Sequence, residues 1–249
     1  KSIMKIRIIT LLTIISALLI GSCNLDENDG PANLEITFNH RVGNMDLKFD
    51  TIKYTNAYGN DYSVTTLKYF VSEIILTMTD GTNAILNNVF YVDAQDNNTG
   101  KIYINDMPVG DYESISFVFG LTEQFNISNL YPNPPESNME WPQPMGGGYH
   151  YMKLEGKFDS ANIVKNYQAH TGRLMQTPHF IEVNLNFDTP MVLSYDGEYN
   201  LDIYMDINNW WVNPNTLDLN NISGIMGNEE IQTELMENGS NVFNLGNLD

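Results

Sequence analysis

The stretch Leu34-Glu35-Ile36-Thr37-Phe38-Asn39-His40-Arg41-Val42 decides the fold class. Leu34, Ile36, Phe38, His40 and Val42 fall on one face, with Glu35, Thr37, Asn39 and Arg41 opposite. A period of two is the signature of a strand with one buried face. Residues 67–79 (LKYFVSEIILTMT) give a second long strand, closed by the turn Asp80-Gly81. Shorter candidates follow at 89–93, 101–105, 114–120, 150–158, 179–187, 191–194 and 199–206. Turn residues separate them: Gly59-Asn60, Asn98-Thr99-Gly100, Val109-Gly110-Asp111 and Asp196-Gly197. Helical signal is sparse, with 229–237 the best candidate and a single turn at 206–212. The pattern predicts one all-β domain over 33–249, an antiparallel β-sandwich or barrel-like Greek key with long loops and little helix.

Composition bounds the function. The 249 residues are 42% hydrophobic, enough for a sizeable core. Twelve Lys and Arg stand against 31 Asp and Glu, a formal charge of −19. That balance excludes nucleic acid as a partner, because phosphate binding needs a basic face. Much of the polarity comes instead from 33 Asn. A lone Cys excludes a disulfide framework and any thiolate metal cluster.

That Cys has a place in the N-terminal pattern. Lys1, Lys5 and Arg7 precede an apolar stretch, 8–20, which is short for a membrane span. Ile20-Gly21-Ser22-Cys23 then resembles the cleavage site of a bacterial lipoprotein signal peptide, 1–23. The resemblance implies cutting before Cys23, lipidation of its thiol, and a place in the bacterial envelope. The mature chain would be anchored to the outer membrane, periplasmic or surface-exposed. Residues 24–32 read as a flexible linker, because the stretch 24–31 is polar and acidic and ends in Gly30-Pro31. Acids directly after such a Cys resemble the surface-export signal of Bacteroidetes-type lipoproteins. Removal of 1–22 takes three basic residues and no acids, leaving nine basic against 31 acidic.

Four histidines remain: His40, His150, His170 and His179. His40 ends one inward-facing series, whereas His150 and His179 begin two others. In an antiparallel sheet the end of one strand lies beside the start of its neighbours, so three imidazoles can meet at one mouth of the sandwich. His170, in Ala-His-Thr-Gly-Arg, reads as a turn residue. Imidazoles without thiolates suit copper or zinc, and Met145 or Met152 would add a thioether that favours cuprous ion. The bland alternative is a set of hydrogen-bonded rim histidines. Just before His150 lies an unusually long irregular segment, 124–148. It holds five prolines, the glycines 146–148, Trp141 and Met145.

The segments Phe38-Asn39-His40-Arg41-Val42-Gly43, Leu67-Lys68-Tyr69-Phe70-Val71-Ser72, Trp141-Pro142 through Met145-Gly146-Gly147-Gly148-Tyr149-His150-Tyr151-Met152-Lys153-Leu154-Glu155-Gly156, and His170-Thr171-Gly172 occur in one order. Together, over roughly 33–194, they resemble the MbnP-like copper-binding domain, the methanobactin-associated periplasmic protein family. Residues 141–156 are the most specific part. The resemblance implies a β-rich domain holding one copper ion through two His and a kynurenine made from a Trp. It also implies a di-haem cytochrome c peroxidase-like partner that oxidises the Trp. Carried onto this chain, Trp141 is the residue for oxidation, and the ligands come from His40, His150 and His170, with no pair singled out. The form Trp-Pro-Gln-Pro-Met-Gly-Gly-Gly-Tyr-His is this chain's own variant of the segment.

The expected function is therefore a lipid-anchored copper-binding protein for sequestration, uptake or delivery. The competing reading is a surface adhesion or glycan-binding module with Trp210 and Trp211 as stacking platforms. No Gly-X-Ser-X-Gly, His-Glu-X-X-His or phosphate loop is present, so no enzymatic activity is expected.

Overall fold

The computed structural model describes residues 30–222 and 224–248. The signal peptide, Cys23 and most of the acidic linker lie outside the described residues. Thirteen strands follow in chain order: β1 (Ala32–Val42), β2 (Met45–Asp46), β3 (Tyr54–Thr55), β4 (Asp61–Tyr62), β5 (Thr66–Met78), β6 (Asn83–Asp93), β7 (Lys101–Met107), β8 (Gly110–Phe119), β9 (His150–Ser160), β10 (Ile163–Gly172), β11 (Ile181–Leu193), β12 (Glu198–Asp206) and β13 (Phe243–Leu248). One α-helix, α1 (Glu229–Gly239), precedes the last strand. The all-β, sandwich-like reading holds.

Two sheets form. The smaller runs β13-β12-β1-β2, with β7 also paired to β1. The larger runs β11-β8-β5-β9-β4-β3, with β6 on β5 and β10 on β9. β5 curls this sheet, because its first residues pair with β9 and its later ones with β8. One ladder departs from the antiparallel expectation. β1 and β12 run parallel, with Asn33 opposite Glu198 and Arg41 opposite Asp206. Every other ladder among the described residues is antiparallel.

The alternation of β1 is literal: Ala32, Leu34, Ile36 and Phe38 are buried and the residues between them half-buried. Phe38 bridges the layers, its ring 5.4 Å from Phe117 and 6.5 Å from both Tyr69 and Phe243, all edge-on. Edge-on contacts suit aromatic quadrupoles and add to the burial of area. β10 has no counterpart in the sequence reading. It pairs only with β9 and exposes Ile163 and Val164, so the alternation that marks a half-buried strand is blurred.

Trp210 and Trp211 sit in a 3-10 turn, Ile207–Trp211, whose N-cap is Asp206. Both are fully buried, Trp210 against Phe119 and Trp211 against Tyr62 and Tyr167. The stacking platforms of the glycan-binding reading are thus core residues, closed to a sugar. Trp210→Ala is expected to cost about 3–5 kcal/mol of stability, as large-to-small core changes do, read as a lowered urea midpoint.

The long segment before β9 is irregular but anchored. Two 3-10 turns, Glu136–Met139 and Gln143–Met145, punctuate it. It folds back over β5 and β9 to make a second apolar cluster of Phe70, Leu121, Met139, Tyr149 and Tyr151. Buried Asn126 accepts from the Tyr149 amide at 2.7 Å and donates to the Tyr151 hydroxyl at 3.1 Å. Ser128 Oγ accepts from the Gly148 amide at 2.8 Å. These bonds hold the glycine run and deliver Trp141 and His150 in fixed positions.

Candidate metal centre

β9 and β10 build the site. The ladder slips between Thr171 and Gly172: Thr171 faces Met152, whereas Gly172 faces His150. The extra residue, Tyr151, is a β-bulge, which re-aims side chains on the bulged strand. Met152 and Leu154 remain in the main core. The His150 ring instead meets Trp141, the Met139 carbonyl and His170. A strict alternation assigns His150 to the inner face, and the bulge is what breaks that assignment. His170 is likewise not in a turn; it lies near the end of β10, opposite Lys153.

Three rings meet edge-on in series. Trp141 and His150 have centroids 4.7 Å apart at 79°, and His150 and His170 are 5.0 Å apart at 84°. Trp141 is 2% exposed, and its indole N–H finds no acceptor among the described residues. Its ring lies on Gly172, where a Cβ would come within 2.8 Å of Cε3. Only glycine admits the indole this close to β10.

Each imidazole is pinned by one nitrogen. His150 Nδ1 lies 2.9 Å from the Met139 carbonyl oxygen. His170 Nε2 lies 2.7 Å from Glu155 Oε1. A carbonyl and a carboxylate only accept, so both nitrogens carry the proton. The lone pairs then sit on His150 Nε2 and His170 Nδ1. A histidine that donates one N–H to a carbonyl or carboxylate while offering the other nitrogen is the usual arrangement around a bound metal. Burial, helped by the charge of Lys153, pushes His150 down to about 3. Burial also lowers His170, overriding the opposing pull of Glu155. Both rings are therefore neutral at pH 7.

This has a consequence for stability. The folded value of His150 is below its ordinary 6.5, so the unfolded chain binds more protons at acid pH. The contribution of the neutral ring is complete above about pH 6.5 and is lost as pH falls from there toward about 3. Burial lowers His40 in the same sense, to about 4. The metal-free protein is expected to lose thermal stability steadily below pH 6.5, and His150→Leu to flatten that slope. An acid limb unchanged in the variant would contradict the buried neutral ring.

The other two histidines lie elsewhere. His40 belongs to the smaller sheet, with Nε2 2.9 Å from the Tyr69 hydroxyl. His179 is 2% exposed, and its Nδ1 donates to the Gly172 carbonyl at 3.1 Å. Its Nε2 stands 3.4 Å from Glu229 Oε1 without hydrogen-bond alignment. It thus braces the strand end that carries Trp141. The three strand-end histidines of the sequence reading do not form the pair; His150 joins the residue assigned to a turn. Among the described residues, no three His, Cys, Asp or Glu side chains gather as a ligand group.

Beside His170 an open groove of about 890 Å³ is lined by Glu155, Tyr167, Ile222 and Ile225, with Met145 and Met226. Met152 is fully buried in the main core. Of the two methionines singled out in the sequence, Met145 is therefore the one near the site. The sequence reading missed Glu155, although it lies inside the most specific segment. Its role becomes visible only once β10 is paired to β9.

The model of the MbnP family matches residues 31–228. The chain belongs to the MbnP family. The match runs past Ser194 through β12 and the buried tryptophan pair, further than the sequence segments alone extend. The structure of MbnP from Methylosinus trichosporium aligns with a TM-score of 0.53 at 14% identity, covering 79% of this chain and 82% of that one. At this identity the likeness speaks for the fold. No curated protein matched the chain. Membership carries the MbnP family's association with methanobactin and copper, and with cytochrome c peroxidase-like partners.

Proposed function

We propose that the protein is a copper-binding lipoprotein of the bacterial envelope, without turnover of its own, that sequesters, takes up or delivers the ion. The observation that carries this reading is the series Trp141–His150–His170, with each imidazole neutral and pinned by one nitrogen. The donor set fits the metal. Two neutral imidazoles without thiolate suit copper, and an open, thioether-flanked groove suits its cuprous form. The buried Trp141 ring, 4.7 Å from His150 and with its indole N–H unpartnered, supports a third position beside the pair. Oxidation of that ring to kynurenine, by the peroxidase-like partner, would place a carbonyl and an aromatic amine there. The copper ion is cargo in this reading. The tether is the lipid on Cys23, and the strongly acidic mature chain keeps the domain off an anionic surface.

Two measurements test the reading. Copper per chain, taken on purified protein loaded with cuprous or cupric ion, is expected to be stoichiometric. Protein that stays copper-free under both conditions would overturn it. Intact mass of material made beside the peroxidase-like partner is expected to show a net gain of one oxygen and loss of one carbon at Trp141. An unmodified mass there removes the kynurenine but leaves the two histidines.

A further inference from the structure

Gln232 lies on α1, just past the residues that the family model matches, and is fully buried. Its Nε2 donates to the His170 carbonyl at 2.8 Å and to the Ile225 carbonyl at 3.1 Å. Its Oε1 accepts from the Gly172 amide at 3.2 Å. The carbonyl of residue 170 and the amide of residue 172 flank Thr171 and point the same way, out of the free edge of β10. A parallel neighbouring strand would take both with the N–H and C=O of a single residue. Here a single side-chain amide does so, and its second N–H ties down the 3-10 turn at Ile225–Gly227. Every donor of the amide is used, so its orientation is fixed by the network.

What Gln232 holds is the short piece of chain on which the metal centre depends. His170 faces His150 and Glu155 on one side of the clamp. On the other side Gly172 carries the Trp141 ring, and its carbonyl accepts the hydrogen bond from His179 Nδ1. A strand end with free edge groups frays, and fraying here would move an imidazole and the indole's floor together. We infer that Gln232 is the positioning residue of the copper site, setting the distance between the His170 ring and Trp141 by holding the backbone at residues 170 and 172. The inference rests on the copper reading above.

The test compares two buried amides on the same helix. Asn238 is also fully buried and also makes three bonds, donating to the carbonyls of Trp210 and Asn215 and accepting from the Asn215 amide, but none reaches β10. Gln232→Leu and Asn238→Leu are made in the full chain. Both are expected to lower the melting temperature. Only Gln232→Leu is expected to weaken cuprous-ion affinity, by about 10–100-fold, as loss of an outer-shell partner does. In the metal-free protein it alone should shift the ring-nitrogen resonances of His170 and the indole signal of Trp141. Equal losses of affinity in both variants, or unmoved ring signals in Gln232→Leu, overturn the inference. Where the leucine variant fails to fold, Gln232→Glu keeps the shape, removes the donors, and is read in the same way. Should the wild type bind no copper, the functional reading falls, and the metal-free ring signals alone decide for or against Gln232.

Discussion

His150→Ala and His170→Ala are each expected to abolish stoichiometric copper binding while leaving the protein folded. Each removes one of the two imidazoles whose ring centroids the β9–β10 pairing brings to 5.0 Å. Both sites are lined by polar as well as apolar groups, and an alanine leaves the strand ladder intact. Glu155→Gln separates holding from binding. It keeps the shape but exchanges the carboxylate that fixes the His170 proton for a neutral amide, and affinity is expected to fall by about 10–100-fold rather than vanish. His40→Ala is the control. His40 lies on β1 in the smaller sheet, with its Nε2 held by the Tyr69 hydroxyl, so its loss is expected to leave copper content unchanged. Metal analysis of the four purified variants decides the matter. Copper that survives in both His150→Ala and His170→Ala, or that disappears with His40, would show that the ligands lie elsewhere.

Gly156→Ala is expected to cause the largest loss of stability of any single methyl addition in β9. A Cβ at this position collides with the Ser63 carbonyl oxygen and comes within 2.7 Å of the Tyr167 ring. Neither neighbour can withdraw. Ser63 is bound through its amide to the Lys157 carbonyl at 2.8 Å, and the Tyr167 hydroxyl donates to that same Ser63 carbonyl at 2.9 Å. Tyr167 also packs on Trp211. Overpacking a core costs about 1–3 kcal/mol when side chains can adjust. Here backbone must move, so the cost should reach or exceed the top of that range. Equilibrium urea unfolding measures it. A loss below about 1 kcal/mol would mean that the Ser63 segment gives way more easily than its hydrogen bonds suggest.

The fold was largely legible where one face of a strand is buried and the other wet. β1 reads directly as alternation, β5 and β12 read as strands, and α1 and the 206–212 turn also appear where the residues place them. What stayed hidden depends on neighbours. β10 is an edge strand whose outward residues include Ile163 and Val164, so its pattern carries no clean period. His170 therefore looked like a turn residue. The face of His150 depended on a bulge, and a bulge is a property of two strands rather than of one sequence. The partners of the site were hidden for the same reason. Glu155 and Gln232 act across chain separations of 15 and 62 residues, and nothing local marks either. Trp210-Trp211 leaves two readings open, because an aromatic pair in a short apolar turn reads as packing or as an exposed contact patch, and burial decides for packing.

The parallel ladder between β1 and β12 also governs how the chain comes to be folded. Asn33 and Glu198, which bond across it, are 165 positions apart. Closing so long a loop costs entropy before any contact repays it, and domains rich in such pairings fold in milliseconds to seconds. A nascent chain that ends before residue 198 has β1 with one edge open and its row of Leu34, Ile36 and Phe38 lacking the β12 side of their core. An open, apolar strand edge invites pairing with another chain. C-terminally truncated forms lacking β12 are thus expected to aggregate rather than to yield a smaller folded domain, even though the histidine pair lies wholly within residues they retain.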